Sequence, residues 1–265
     1  LESHYYQPAI ALWRSLELEI WQGHDLPQPV LDVGCGNGYV ASLVLPPEGQ
    51  AVGLDMVFSE LRVASRLDTY RGVVQCVGGD MPFDEGCFRT VFSNCVVEHI
   101  PDLDQVLESI GASLRPGGVF AFTTVSHRFL DMLGPIARLR ATGRDAEAEA
   151  YAEKTNVRLG HYHYHTPTQW QQKLDFVGLD MQTARYFAPA SFMAGWERLD
   201  VALTRRIWRG RRPIDLYRRL VIRGLAPRRL FVWFWYHRYR HLLEVPLLPQ
   251  EEGGGLFIIA RKPEQ

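Results

Sequence analysis

The chain has 265 residues and a mass of 30.3 kDa, enough to bury one sizeable core or one core with an elaborated lid. Hydrophobic residues at 46% and charged residues at 22% exclude a disordered chain. The formal net charge of −1 hides an asymmetry: residues 1–203 carry 15 Lys/Arg against 25 Asp/Glu, whereas 204–241 carry 12 arginines and one acid, Asp215.

Apolar positions at helical spacing (Ile10, Trp13, Leu16, Ile20) predict an amphipathic helix over residues 4–22, broken by Pro27-Gln28-Pro29. PVLDVGCGNGYVASLVL then reads as a strand, a glycine-rich turn and a helix. AVGLDM predicts a second strand, SELRVASRL a helix, VVQCVGGD a third strand and TVFSNCVV a fourth. LDQVLESIGASL follows as a helix ending at Arg115-Pro116-Gly117-Gly118, and VFAFTTV as a fifth strand. Strands alternating with helices predict a parallel sheet covered on both faces. From Ser126 to Thr166 the alternation stops, and ARLRATGRDAEAEAYAEK reads as a polar-faced helical insertion. TPTQWQQKLDFVG and MQTARYFAP restore the pattern, a basic and aromatic insertion occupies 190–250, and GGGLFIIARKP closes the sheet.

The expected architecture is a single α/β domain over 1–265: a Rossmann-like, seven-stranded, mostly parallel sheet with helices on both faces, plus helical lid insertions. Its parts are an N-terminal helical lid (1–28), a cofactor-binding core (29–125), a helical insertion (126–166) and the basic aromatic insertion (190–250). The four cysteines (Cys35, Cys76, Cys87, Cys95) form no C-x-x-C pair and read as reduced thiols, and no charged-then-apolar leader is visible, so a cytoplasmic protein is expected. The longest apolar run, Leu230 to Tyr236, falls short of the ~20 residues that span a bilayer.

Leu31-Asp32-Val33-Gly34-Cys35-Gly36-Asn37-Gly38 lies between a strand and a helix, where glycines let the backbone turn tightly and a ligand approach closely. The dinucleotide fingerprint would require Gly or Ala at position 39, where Tyr39 stands, and no Walker loop is present, so neither NAD nor nucleotide phosphate fits best. Asp55 closes the second strand, where a carboxylate can accept both hydroxyls of a ribose; a helix cap or turn is the alternative. Asp80, in Gly79-Asp80-Met81-Pro82-Phe83, is expected to end the third strand, its carboxylate free for an exocyclic amine and Met81 free to pack on a ring; its alternative is a turn residue before Pro82.

LDVGCGNG, VGLDM, GGDMPF, FSNCVVEHIPD and LRPGG, in this order, resemble the class I S-adenosylmethionine-dependent methyltransferases of methyltransferase type 11, the branch that includes the ubiquinone and menaquinone biosynthesis enzymes. The resemblance is close over 29–125 and loose over 160–187 and 253–263. It implies S-adenosylmethionine as cofactor. Asp32, Gly34, Cys35, Gly36 and Gly38 would support the methionine part, Asp55 with Met56 the ribose, Asp80 with Met81 the adenine. Ser93 and Asn94 would lie beside the sulfonium.

Methyl transfer asks the protein to align nucleophile and methyl, exclude water and, for a hydroxyl or acidic carbon, accept a proton. Some ubiquinone-branch enzymes carry Glu-x-x-Glu-His after the fourth strand, which can hold a divalent ion; here Cys95 replaces the first Glu of Cys95-Val96-Val97-Glu98-His99, and no metal is expected. His99 is a candidate base, with a structural histidine near a helix start as the alternative. In His161-Tyr162-His163-Tyr164-His165-Thr166, extended backbone would put all three imidazoles on one face. His161 and His163 are therefore candidate catalytic residues, unless the run caps the next helix through Thr166. The N-terminal helix with Tyr5, Tyr6, Trp13 and Arg14 would close over the cofactor mouth.

The segment 204–241 combines its arginines with Trp208, Tyr217, Phe231, Trp233, Phe234, Trp235, Tyr236 and Tyr239. A membrane-surface element, an RNA-binding element and an Arg-rich lid packing its aromatics inward all match that composition. No N/D-P-P-Y/F motif follows the fourth strand. The expected function is methyl transfer to a small apolar or lipid-linked acceptor at O or C, with peripheral membrane contact through 204–241 and nucleic acid disfavoured. A non-catalytic S-adenosylmethionine-binding module, an RNA-directed methyltransferase and an NAD-dependent oxidoreductase are the competing readings.

Overall fold

A computed structural model describes residues 7–47, 49–204, 212–225, 227–243 and 253–264. Tyr5, Tyr6 and Trp208, noted above, lie outside the described residues.

The strands are β1 (Val30–Val33), β2 (Ala51–Asp55), β3 (Tyr70–Gln75), β4 (Phe88–Asn94), β5 (Leu114–Val125), β6 (Asp180–Phe187) and β7 (Gly255–Arg261). They form one seven-stranded sheet in the order β3-β2-β1-β4-β5-β7-β6. β1, β2, β3, β4 and β5 pair in parallel, while β7 lies antiparallel between β5 and β6. Strand order reverses between β1 and β4, and a crevice opens beyond the carboxyl ends there.

The helices are α1 (Pro8–Trp21), α2 (Tyr39–Val44), α3 (Phe58–Ala64), α4 (Leu103–Ser113), α5 (Gly134–Ala141), α6 (Asp145–Leu159), α7 (Pro167–Phe176), α8 (Ala190–Thr204), α9 (Pro213–Ile222) and α10 (Arg228–Leu243). The two-residue period of the strands divides the core. Leu31, Val33, Val91, Phe120 and Phe122 face α4 and α7, including the buried Trp170. Val30, Phe92, Ala121, Val125 and Phe257 face α1 and α8.

Several boundaries differ from the sequence reading: β4 stops at Asn94 and not Val97, and β5 starts at Leu114, so Arg115-Pro116-Gly117-Gly118 belong to the strand. The insertion over 126–166 contains two helices, because Gly143 turns the chain through a left-handed conformation (φ 70°) between α5 and α6. β3 stops at Gln75, so Asp80 sits in the following loop rather than at the strand end. The N-terminal helix starts at Pro8. The cap at Thr166 is as read: its side chain accepts from the Gln169 amide at 3.2 Å, the Gln169 side chain accepts from the Thr166 amide at 2.8 Å, and Pro167 opens α7.

Candidate active site

The glycine loop is pinned by its own backbone: the amides of Gly34 and Cys35 donate to the Leu54 carbonyl at 2.8 and 2.9 Å. A Cβ on Gly34 would stand 2.4 Å from Val96 Cγ1, so the loop passes too close to the β4 end for any side chain. At Gly36 a Cβ would meet nothing within 4 Å, which leaves that backbone open to the crevice. A cavity of about 250 Å³ opens here, walled by Asp32, Gly34, Cys35, Gly36, Asn94 and Arg14 among others. Gly38 does something else. A Cβ there would run into the Tyr70 ring at 2.5 Å, so this glycine serves packing beneath the loop and not the crevice.

Asp32 is almost fully buried and accepts a 2.5 Å hydrogen bond from the Tyr70 hydroxyl. Burial pushes its carboxyl up to about 7, against the tyrosine's pull downward. Its ordinary value is 3.8. Between those values the folded state holds a proton that the unfolded chain has lost. The stability from this group is therefore complete below about pH 4 and fades as pH rises toward 7. Chemical denaturation across that range is expected to show wild-type stability falling more steeply with pH than that of Asp32→Asn; parallel curves would show the carboxylate ionised throughout.

Asp55 spends both oxygens on backbone: Oδ2 accepts from the Gly36 amide and Oδ1 from the Val57 amide, each at 2.8 Å. It thus ties the glycine loop to the start of α3 from a half-buried position, and each oxygen keeps a second lone pair for a further donor. Met56 and Asp80 are exposed, while Met81 packs against the core on the α4 face, holding the loop rather than standing free. Ser93 departs from expectation. Its hydroxyl donates to the Val33 carbonyl at 3.0 Å, joining β4 to β1, and only Asn94 of that pair reaches the cavity.

The wall opposite the loop is α1, and sequence reading missed what holds it. Glu17, fully buried, accepts from Trp13 Nε1 at 3.0 Å, Arg14 at 2.6 Å and Asn94 Nδ2 at 3.0 Å. Asn94 Oδ1 in turn accepts from Trp21 Nε1 at 2.7 Å. Burial opposes the Arg14 charge, but Glu17 outweighs it and the guanidinium is held protonated. A carboxylate on the apolar stripe of an amphipathic helix was the available signal.

A second cavity of about 230 Å³ adjoins the first, and Arg14 and Cys95 line both. Its walls are chiefly apolar and aromatic (Ile10, Trp13, Val125, Phe129, Leu159, Trp196), with Glu98, His99 and His161 at one side. Trp13 is the keystone, edge-on to Phe129 at 5.8 Å and to Trp196 at 5.5 Å. Cys95, at the end of β4, has φ 53°, a left-handed conformation that turns the chain into this wall.

Glu98, His99 and His161 bring one donor atom each within 4.8 Å of one another. The Glu98 side chain is fully buried; Oε2 accepts from Thr124 at 3.2 Å, and Oε1 has no partner. His99 Nδ1 meets the Gly160 carbonyl at 2.9 Å, and a carbonyl only accepts, so Nδ1 carries a proton and donates there. His161 Nδ1 lies 3.0 Å from the Tyr164 hydroxyl, which donates to Asn156 Oδ1 at 2.6 Å. With the hydroxyl hydrogen committed there, His161 Nδ1 donates and its Nε2 is bare. Burial pushes His161 down to about 3, with His99 and Arg158 adding to it, while burial pushes Glu98 up against the opposing pull of His99.

The expected alignment of three imidazoles does not occur. His163 Nε2 bonds the Ile100 carbonyl at 2.7 Å and lines a separate groove with Asp102 and Lys173. His165 stacks on His163 at 5.3 Å. The segment pairs with no strand, so side-chain alternation has nothing to enforce it. His163 is thereby removed from the candidate catalytic set.

Residues 31–122 match the family profile described as a methyltransferase domain. Malonyl-[acyl-carrier protein] O-methyltransferase of Legionella pneumophila is 33% identical over 104 residues, 37% of this chain and 37% of that protein. Ubiquinone biosynthesis O-methyltransferase of Chromobacterium violaceum is 31% identical over 105 residues, 37% of this chain and 44% of that one. The matches thus span less than half of these relatives' length. Among solved structures, a Thermotoga maritima S-adenosylmethionine-dependent methyltransferase superimposes with a TM-score of 0.58 at 11% identity, covering 98% of this chain and 93% of that one. Phosphoethanolamine N-methyltransferase 2 of Haemonchus contortus, in complex with S-adenosylmethionine, gives 0.56 at 18% identity, covering 96% and 52%. The crevice suits that cofactor's amino-acid end: an ionisable acid at Asp32, open backbone at Gly36 and the Arg14 guanidinium share one cavity. Residues 31–122 are thus similar to a methyltransferase domain, and the sheet has the fold seen in S-adenosylmethionine-dependent methyltransferases.

Proposed function

We propose that the chain transfers a methyl group from S-adenosylmethionine to oxygen, or to an acidic carbon, of a small apolar or lipid-linked acceptor. One observation carries this reading: the crevice at the strand ends and the aromatic cavity share Arg14 and Cys95 as a common wall, so two bound molecules would meet there. The cofactor supplies an activated methyl; the protein's residues do the rest. Asp32, Gly36 and Arg14 would hold the amino-acid end, and the remaining lone pairs of Asp55 would accept from the ribose. Trp13, Phe129 and Trp196 exclude water from the acceptor. His161 Nε2 accepts the acceptor's proton, Glu98 Oε1 steadies the imidazolium that forms, and exposed His99 connects the cluster to solvent. No metal takes part in this scheme.

Calorimetric titration with S-adenosylmethionine, S-adenosylhomocysteine and NAD tests the first half. Binding of the two adenosyl ligands alone is expected, and NAD binding would overturn it. Labelled methyl incorporation into lipid extracts, compared with RNA and protein, tests the second; incorporation into RNA alone would replace the acceptor class. In the same titration, Asp55→Ala is expected to weaken cofactor binding by more than about 1 kcal/mol, since charged hydrogen bonds and the loop tether go together. Unchanged affinity would remove Asp55 from the ribose role.

A further inference from the structure

The helical pair α9–α10 turns two different faces to its surroundings. Inward, Tyr217, Trp235 and Leu242 pack on the body, and Gly195 of α8 admits Leu242 so closely that a Cβ there would lie 2.3 Å from its Cδ1. Outward, Leu230, Trp233 and Phe234 follow helical spacing along α10 and stand about half exposed or more, with Leu225 exposed in the turn between the helices and Leu216 exposed in the first turn of α9. No packing need of the fold accounts for that outward set. Arg219, Arg223, Arg229 and Arg240 are exposed around it and make no ion pair among the described residues.

We propose that the outward face of α9–α10 docks on an anionic lipid surface, with Leu230, Trp233 and Phe234 entering the interface and the flanking arginines meeting the headgroups. Charge complementarity selects this occupant. The segment 204–241 carries 12 arginines and one acid, whereas residues 1–203 carry an acidic excess that would hold the rest of the molecule away from such a surface. Large aromatics flanked by arginines on an exposed helix face suit the boundary between headgroups and acyl chains. No helix among the described residues is long and apolar enough to cross a bilayer, so the pair would lie on the surface rather than span it.

Position links the surface to the chemistry. α10 packs against both α1 and α8, the helices that supply Ile10, Trp13 and Trp196 to the aromatic cavity. Ile10, 43% exposed, stands at that cavity's mouth. A bilayer held by α10 would therefore lie beside the entrance through which an apolar acceptor arrives. This deepens the proposed function and rests on it only for the acceptor; the docking itself does not require it.

Co-sedimentation with vesicles of phosphatidylcholine alone, and with phosphatidylglycerol added, tests the proposal on the intact chain, with S-adenosylhomocysteine titration run in parallel. Binding is expected only to the anionic vesicles and is expected to weaken as salt is raised. Arg223→Ala with Arg229→Ala should weaken it about 30-fold, following the usual contribution of a basic residue near such a surface. Trp233→Ser with Phe234→Ser should abolish it, and both pairs should bind S-adenosylhomocysteine as the parent does. Equal binding to neutral vesicles, no vesicle binding, or displacement of the vesicles by RNA would each overturn lipid docking. Loss of S-adenosylhomocysteine binding in the parent would instead count against the cofactor assignment.

Discussion

Replacing His161 by alanine is expected to lower kcat by about 10²–10⁴-fold for a hydroxyl acceptor, the range spanned by a positioned proton-transfer group. The expectation rests on which nitrogen keeps its lone pair. Tyr164 and Asn156 fix the imidazole with Nδ1 as donor, leaving Nε2 free on a ring that lines the aromatic cavity with Glu98 and His99. Burial keeps the ring neutral, with its pKa down at about 3, so it is available as an acceptor throughout the physiological range. A base that weak needs help as it takes a proton, and the unpartnered Glu98 Oε1 is the adjacent group that can supply it. Glu98→Gln should therefore lower kcat in the same direction while leaving S-adenosylhomocysteine affinity unchanged. Single-turnover transfer from labelled S-adenosylmethionine measures both, and a His161→Ala enzyme within threefold of the parent would sink the assignment. Millimolar chelator separates a proton site from a metal site. The rate is expected to be insensitive to it; a loss restored by a divalent ion would reassign Glu98, His99 and His161 as ligands.

Glu17→Ala is expected to be the costliest single change to stability, at about 3–5 kcal/mol, the usual loss when one partner of a buried ion pair is removed. For a domain of this size that corresponds to a fall in Tm of roughly 10 °C. The carboxylate is fully buried and joins Trp13, Arg14 and Asn94, so its removal leaves an uncompensated guanidinium and an unpaired amide together. Glu17→Gln keeps an acceptor for Trp13 but not the charge opposite Arg14, and should fall between. Urea denaturation measures all three proteins. A loss below about 1 kcal/mol for Glu17→Ala would mean that Arg14 is solvated and the pair behaves as a surface ion pair. Because Asn94 lines the glycine-loop cavity and Arg14 both cavities, the same variant should also weaken S-adenosylmethionine binding under the proposed function.

The strand–turn–helix of LDVGCGNG and the strands after it were legible because their signals are local: glycines where the backbone must approach its neighbours, and apolar runs punctuated by turns. That locality carried through to the site where residues sit at successive strand ends. Asp32, Gly34, Cys35, Gly36 and Asn94 all reach one cavity, since parallel strands bring their carboxyl ends to the same edge. It failed where a residue's role depends on what stands opposite. Ser93 is adjacent to Asn94 in sequence, yet the pleat turns it to Val33 and away from the crevice. Gly38 reads as part of a ligand loop but makes room for Tyr70.

The sequence by itself determined the alternating α/β order, the glycine turn with the acid that closes the second strand, and the uneven distribution of charge, because each depends on residues within one element or its neighbour. Tertiary structure decided the rest. His161 meets Glu98 and His99 while His163 is turned to the Ile100 carbonyl, as the His–Tyr segment is held by packing and not by a strand ladder. Glu17 becomes a hydrogen-bonding hub because α1 lies against β4, contacts 77 residues apart in the chain. Trp196 arrives in the aromatic cavity from a segment whose sequence carries no mark of it, and the two faces of α9–α10 separate only once one of them is covered. Contacts between distant segments follow from how elements stack, and no pattern within a single element encodes that stacking.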